Sequence, residues 1–400
     1  MILDKIQSID AVEVSGKRVL YRADLNVPSQ GGVVTDLTRI ERVIPGIQTL
    51  SARKAKVIVL SHYGRPKKGF DTENSLRPVA EAFKKLLNTN VSFVSDCVGQ
   101  EVEASIKTMN EGDILILENT RFYSGEESND LSFTSKLAQL GDLYVNDAFS
   151  VSHRAHATTE GLTHYLPSYA GPLLLEEINA LKKVLENPRR PTAAIIGGAK
   201  VSTKIPILTN LVPKFDYLII GGGMANTFIQ SQGIEVGRSL AEPDYHGLAR
   251  DIMAEAEKKS CKIILPVDVV VAREFRAGAP CETLEISKIP KDCMILDVGQ
   301  ASIDKISNDL KICRTLLWNG PLGAFEFEPF GAGTFALARE AAKLTLEGRL
   351  TSIAGGGDTV AALNSAGVTQ DFTYVSTAGG AFLEWLEGKE LPGIAALAKN

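Results

Sequence analysis

Residues 192–204 read Thr-Ala-Ala-Ile-Ile-Gly-Gly-Ala-Lys-Val-Ser-Thr-Lys. A short apolar run ends in paired glycines and then in two lysines. Apolar residues without alternation mark a strand buried on both faces, as in a parallel sheet. Glycine lets the backbone approach a ligand closely. A helix starting behind it offers unpaired N–H groups and a positive dipole end to phosphate. Lys200 and Lys204 are four apart, so a helix there places both on one face, although Pro206 makes its start irregular.

The same unit recurs outward from this stretch. The runs Tyr217–Ile220, Lys262–Leu265, Thr315–Trp318, Leu350–Ala354 and Phe372–Val375 follow it. Arg18–Tyr21, Val57–Leu60, Ile114–Leu117 and Leu143–Val145 precede it. Amphipathic stretches lie between them: Leu76–Asn88, with Val79, Phe83, Leu86 and Leu87 at helical spacing, Ala249–Lys259 and Thr334–Glu347. Alternating strands and helices predict an α/β fold with doubly wound parallel sheets. A chain of 400 residues exceeds one ordinary domain. Near its middle, Leu174, Ile178, Leu181 and Leu185 form one apolar stripe between Gly171-Pro172 and Asn187-Pro188. The stripe is either a helical connector between two α/β halves or one more crossover helix in a single large sheet.

Composition excludes several classes. Hydrophobic residues make up 44% and charged residues 23%, which suits a globular chain and not a disordered or collagen-like one. No apolar run is long enough for a membrane helix. A net charge of −5 argues against a generic nucleic-acid binder. The five cysteines are scattered without a C-x-x-C pair, so neither a zinc site nor a disulfide framework is indicated. The start lacks a basic end followed by a long apolar stretch, and the cytoplasm is the expected compartment.

In parallel α/β sheets ligands gather at the carboxyl ends of strands. In the first half those ends carry Arg22-Ala-Asp24-Leu25-Asn26, Ser61-His62-Tyr63-Gly64-Arg65, Glu118-Asn-Thr-Arg121 and His153-Arg154-Ala-His156, with Arg39 nearby. The planar, permanently charged guanidinium suits carboxylate and phosphate, so a small polyanion would explain the set. His156 and His164 have no such support and read as structural. In the second half the strand ends are glycine-rich: Gly197-Gly198-Ala199-Lys200, Gly221-Gly222-Gly223, Asn319-Gly320-Pro321 through Glu326, and Gly355-Gly356-Gly357-Asp358-Thr359. That pattern points to a nucleotide. Asp358 is either a ligand for phosphate-bound Mg²⁺ or a helix N-cap. There is no P-loop, and Gly331-Ala-Gly333 follows no clean strand, so it is not a dinucleotide fingerprint. A nicotinamide-dependent oxidoreductase would need that fingerprint and an acidic ribose residue. A two-lobed sugar-phosphate-binding protein would not need glycine-rich phosphate loops.

Taken together, the loops Arg22–Pro28, Ser61–Pro66, Glu118–Phe122, His153–His156, Gly197–Lys200, Gly221–Ala225, Trp318–Glu326, Gly355–Thr359 and Ser376–Ala381 resemble, in order and spacing, those of phosphoglycerate kinases. The resemblance spans almost the whole chain. It implies two Rossmann-like domains across a cleft: residues 1–171 for 3-phosphoglycerate, an interdomain helix at 172–188, and residues 189–382 for nucleotide, with a tail at 383–400 returning to the first domain. It implies reversible phosphoryl transfer from 1,3-bisphosphoglycerate to MgADP by hinge closure, in a cytoplasmic monomer with no nucleic-acid or membrane partner.

Residue by residue, Asp24 and Asn26, with Leu25 between them, resemble the contacts to the glycerate end. His62, Arg65, Arg121 and Arg154 resemble the basic patch for its phosphate, with Tyr63 and Gly64 in the same loop. Arg39 resembles the catalytic arginine, and Lys204, with Lys200 beside it, the lysine that follows the moving phosphoryl group. Gly222, Gly223 and Gly299 match positions near the adenine, and Glu326 the ribose contact. Gly198, Ala199, Asn319 and Gly355 complete the nucleotide set. Gly356, Gly357, Asp358 and Thr359 match the phosphate and Mg²⁺ site. Thr203, Ser150 and Ala378 depart from the commonest family pattern, which has Asp, Gly and Gly there.

Overall fold

The computed structural model describes residues 5–67, 69–87 and 89–398. The chain divides into two compact units: residues up to Ile178 together with those from Glu390 on, and Asn179–Lys389. Each unit is built on its own six-stranded sheet.

In the first unit the strands run, edge to edge, Val91–Phe93, Ile114–Ile116, Lys56–Leu60, Arg18–Arg22, Leu143–Asn146 and Ser168–Ala170. Every neighbouring pair is parallel. Both faces are covered, as the unbroken apolar runs require. Val19, Tyr21, Val57, Val59, Ile114 and Ile116 pack on one face with Ile40, Val43 and Ile47 of the helix Thr38–Ala52 and Phe83 of the helix Arg77–Leu86. Leu20, Ile58 and Leu115, pointing the other way, are also buried. The helix expected over Leu76–Asn88 thus forms; Asn88 lies outside the described residues.

The second sheet runs Lys262–Ile264, Tyr217–Ile220, Thr192–Ile196, Thr315–Asn319, Thr351–Gly355 and Tyr374–Ser376, again all parallel. Numbered along the chain this is the order 3-2-1-4-5-6 of a doubly wound dinucleotide fold. Ala193, Ile195, Leu316 and Trp318 form its core with Leu337, Ala338 and Ala341 of the helix Ala332–Leu346. A three-stranded antiparallel sheet, Cys281–Glu285, Asp268–Ala272 and Met294–Val298, is added beside it.

The mid-chain helix spans Pro172–Leu185. The two separate sheets exclude its reading as a crossover within one large sheet. Its buried stripe is Leu174, Ile178, Leu181 and Val184, whereas Leu185 is half-exposed. Asp147 anchors its start: this carboxylate accepts the Tyr21 hydroxyl proton and the Leu174 N–H at 3.0 Å. The segment from Glu390 belongs to the first unit, where Gly393 N–H bonds Ser152 O at 2.9 Å. Residues 383–389 stay with the second, and Asn210 Nδ2 bonds Leu386 O at 2.7 Å.

Glu118, buried just beyond the strand Ile114–Ile116, ties a helix start to a strand end. It accepts from Ser75 Oγ at 2.7 Å and from the N–H groups of Leu76 and Asn119, each at 2.8 Å. Glu118→Ala strands these donors, and the expected loss is about 2–4 kcal/mol of stability. Calorimetry should show a lower Tm for Glu118→Ala and a partial recovery for Glu118→Gln.

Candidate functional site

In the first sheet the chain order reverses about the strand Arg18–Arg22, and the loops leaving it, Lys56–Leu60 and Leu143–Asn146 converge there. Such switch points leave a crevice for ligand. Arg22, although wholly buried, donates through Nε to Thr158 Oγ1 at 2.9 Å and through Nη2 to His62 Nδ1 at 3.1 Å. An arginine only donates, so His62 Nδ1 accepts and its remaining proton sits on Nε2. His62 is held well below the usual histidine range by burial and then by Arg22, with Asp24 opposing. Behind Arg22 the buried Glu126 accepts from the Thr158 hydroxyl, so the guanidinium has a counter-charge inside the unit.

Other sequence-selected residues surround this centre. Asp24 Oδ2 accepts Arg39 Nη1 at 2.9 Å, and the same nitrogen donates to Asn26 O at 2.9 Å. Asn26 Oδ1 accepts the Gly64 N–H at 2.9 Å. Gly64 has φ 58°, and a Cβ there would meet Asn74 Oδ1 at 1.8 Å, so only glycine closes this loop. Leu25 is buried with its N–H on Ser61 Oγ, and Tyr63 is buried with its hydroxyl on Ser29 Oγ at 2.6 Å. Asn119 wires two loops together: Oδ1 accepts the N–H groups of Tyr63 and Arg121, and Nδ2 donates to the carbonyls of Tyr63 and Asn74. Arg121 bonds Gly64 O at 2.8 Å and pairs with Glu127. Arg154 donates to His153 Nε2 at 3.2 Å. Arg65 is exposed. His156 is buried and pushed down to about 4 by burial and the neighbouring arginines. His164 pairs with Glu160 on the surface.

The second unit builds its site largely from backbone. Gly222 has φ 69°, and a Cβ there would lie 2.6 Å from Gly198 O, so the loops after two adjacent strands touch only because both carry glycine. The loops line two clefts that share part of their walls. One, of about 280 Å³, is bounded by Gly198, Ala199, Lys200, Lys204, Asn319, Gly356, Gly357, Asp358 and Thr359. The other, of about 350 Å³, is mostly apolar and bounded in part by Gly222, Gly223, Leu240, Phe275, Leu296, Leu322 and Glu326. Asp358 borders both.

Lys200 and Lys204 reach one cleft but not from one helical face. A 3₁₀ turn, Val201–Thr203, separates them, and the α-helix starts only at Ile205. Pro206 suits that first turn, where its missing N–H costs nothing. Lys204 Nζ donates to Asn319 Oδ1 at 2.6 Å. Its pKa is lowered by burial, against the opposing pull of Asp358 and Glu387. The helix Gly357–Ala366 has Gly356 as its N-cap, so Asp358 is not the cap; it stands exposed in the first turn. Thr359 Oγ1 accepts the Gly320 N–H at 2.7 Å. Gly355 and Gly299 do not line the clefts: Gly355 O accepts Asn319 Nδ2, and Gly299 lies against Asp268. Met294–Val298 supplies the lining near Gly299.

Within that strand Asp297 escaped sequence reasoning. Its only signal is an aspartate amid an apolar run. It is buried, accepts the N–H groups of Gly333 at 2.8 Å and Val298 at 2.9 Å, and borders the larger cleft. Ser150, Thr158 and Glu126 were likewise assigned no role from sequence, whereas Arg22, which the sequence places among the strand-end cations for a polyanion, is wholly buried.

Comparison with known proteins agrees with this geometry. The sequence profile of the phosphoglycerate kinase family matches residues 9–389. A phosphoglycerate kinase of Rhizobium leguminosarum bv. trifolii is 60% identical over 388 residues, covering 97% of each chain. The solved phosphoglycerate kinase from Coxiella burnetii superposes with a TM-score of 0.93 at 42% identity, covering 98% of this chain and 99% of that one. The one from Pyrococcus horikoshii OT3 gives 0.80 at 28% identity, covering 98% of both.

Burial pushes the Asp297 carboxyl up to about 7, from an ordinary 3.8. The folded state therefore holds a proton that the unfolded chain releases. The stability this group contributes is present below the unfolded value and is lost as pH rises through 7. The unfolding free energy of the native chain, measured relative to Asp297→Asn, should be greatest near pH 4, decline on raising the pH, and level off above 7. A difference constant across that range would remove the assignment.

Proposed function

We propose how this chain, which belongs to the phosphoglycerate kinase family, carries out the reversible transfer of a phosphoryl group from 1,3-bisphosphoglycerate to ADP, giving 3-phosphoglycerate and ATP in glycolysis and gluconeogenesis. The observation that carries the assignment of roles is a contrast. The switch point of the first sheet gathers arginine side chains, and that of the second gathers glycine loops, helix starts and Lys204.

The first unit, broadly residues 1–171, binds 3-phosphoglycerate. His62, Arg65, Arg121 and Arg154 take its phosphate, and Asp24 and Asn26 take its glycerate end. Neutral His62 presents an Nε2–H donor whose tautomer Arg22 fixes. The second unit, broadly residues 189–382, binds the nucleotide. Its base and ribose occupy the apolar cleft near Gly222, Gly223 and Glu326. Its phosphates meet Lys200, Lys204 and the N–H groups opening the helix Gly357–Ala366.

Mg²⁺ would be held by Asp358 and the nucleotide phosphates, and it would neutralise charge on them. An exposed carboxylate suits this: among the described residues no cluster of three His, Cys, Asp or Glu forms, and Mg²⁺ takes few protein carboxylates.

Phosphoryl transfer needs positioning and charge neutralisation more than covalent help. The acceptor oxygen is anionic in either direction, so no general base is required. Arg39, Lys204 and the N–H groups after Gly356 stabilise charge on the moving group. Acceptor and donor must touch while their ligand sets belong to different units, so turnover proceeds by hinge closure about the Pro172–Leu185 helix, which also excludes water. The protein acts as a cytoplasmic monomer.

A coupled assay of 3-phosphoglycerate plus ATP through glyceraldehyde-3-phosphate dehydrogenase should show NADH oxidation; none would overturn the reading. Arg39→Ala should lower kcat by about 10²–10³ with a smaller change in KM. Arg65→Ala should chiefly raise KM for 3-phosphoglycerate, because its partner phosphate is the same in the ground and transition states. The two phenotypes interchanged would reverse these roles.

A further inference from the structure

Ser150 lies in the turn Phe149–Val151, beyond the strand Leu143–Asn146 and across the switch point from Asp24. Its Oγ donates to Asp24 Oδ2 at 2.5 Å. The same oxygen accepts Arg39 Nη1 at 2.9 Å, and Oδ1 accepts the Asn26 N–H at 3.1 Å. An ionised carboxylate has about four acceptor positions, two on each oxygen. Ser150 and Arg39 fill both positions of Oδ2, and Asn26 fills one of Oδ1. One position remains, on Oδ1.

We infer that Ser150 is a positioning residue for 3-phosphoglycerate: it completes the coordination of Asp24 Oδ2, so that a hydroxyl of the glycerate can be accepted only at the remaining position of Oδ1. The inference rests on the reading of Asp24 as a substrate contact. Without Ser150, Oδ2 has a vacant position and the carboxylate loses one of the three bonds that set its rotation. Arg39, bonded to that same oxygen, loses part of its own support. Ser150 therefore affects the orientation of a binding group and of a charge donor together, without itself touching the reacting atoms.

The groups facing Asp24 are Arg39 from the helix Thr38–Ala52, His62 from the loop after Lys56–Leu60, Ser150, and the Asn26 N–H of its own loop. Burial raises the Asp24 pKa, and these four together outweigh burial and leave it lowered. Removing the Ser150 hydroxyl should thus move the acid limb of kcat/KM for 3-phosphoglycerate to higher pH.

The test uses full-length Ser150→Ala, Ser150→Thr and Asp24→Asn. Ser150→Ala should raise KM for 3-phosphoglycerate about tenfold, the worth of a hydrogen bond to a charged acceptor. KM for ATP should stay at its original value, the acid limb should shift upward, and Ser150→Thr should restore both. Asp24→Asn should raise the same KM at least as far. If Asp24→Asn raises it while Ser150→Ala leaves KM and pH profile unchanged, the inference fails and the reading of Asp24 stands. If neither variant moves KM, the reading fails and the inference with it. If Ser150→Ala merely lowers Tm, or raises both KM values alike, Ser150 is structural and the inference is overturned.

Discussion

A parallel sheet covered on both faces has polar groups to offer only at its ends. Everything else here follows from that constraint. Strands such as Thr192–Ile196 and Ile114–Ile116 are buried along their whole length, so no side chain within them can meet a charged ligand. Chemistry must emerge where the strand stops, and a crevice opens only where successive connections leave in opposite directions. Asp24 and Ser150 meet across such a point in the first sheet. The loops of Gly198 and Asn319 flank the equivalent point in the second, after the strands Thr192–Ile196 and Thr315–Asn319.

Gathering cations at a strand end creates a stability problem that the first unit solves locally. Arg22, Arg121 and Arg154 act on the same two histidines, and each disfavours their protonation. Keeping His62 and His156 neutral avoids adding charge to this cluster. The consequence has a definite sign. With folded pKa values below the unfolded ones, the unfolded chain takes up protons first on acidification, so these histidines withdraw stability as pH falls below the ordinary histidine value. Asp147 and Asp297, both pushed up to about 7, act oppositely. Glu126 completes the balance by placing a carboxylate beside the buried Arg22 without reaching solvent.

Much of this was legible in the chain. The short but unbroken apolar runs announced central strands because burial on both faces leaves no alternation to misread. The edge strands Val91–Phe93 and Ser168–Ala170 were not legible: three residues with a polar or half-exposed residue carry too little pattern. Cys281–Glu285 is exposed along nearly all its length and offers no apolar face at all. Site residues showed where charge or glycine followed a strand. Ser150 showed only as a departure from the family pattern, and Thr158 and Glu126 not at all, because their importance lies in partners distant in sequence: Ser150 contacts a residue 126 positions away and Glu126 one 32 away. The shared helical face of Lys200 and Lys204 failed for a local reason, since the chain enters its helix through a 3₁₀ turn.

The two crevices differ in kind because their proposed ligands do. A small phosphorylated acid exposes charge on every side, and side chains with rigid forks can surround it; their cost is mutual repulsion, met by Glu126, Glu127 and Asp24. A nucleotide carries a large apolar base and a phosphate chain at one end, so an apolar cleft and a cleft of backbone N–H groups must adjoin. Glycine makes that junction possible. Gly222 could not carry a side chain without colliding with Gly198, and a wider separation of those loops would move the apolar cleft away from Lys204. Lysine is the suitable cation in the second crevice, because its flexible stem can reposition a point charge. Asn319 Oδ1 holds that charge meanwhile, satisfying Lys204 Nζ without fixing it in an ion pair that transfer would have to break.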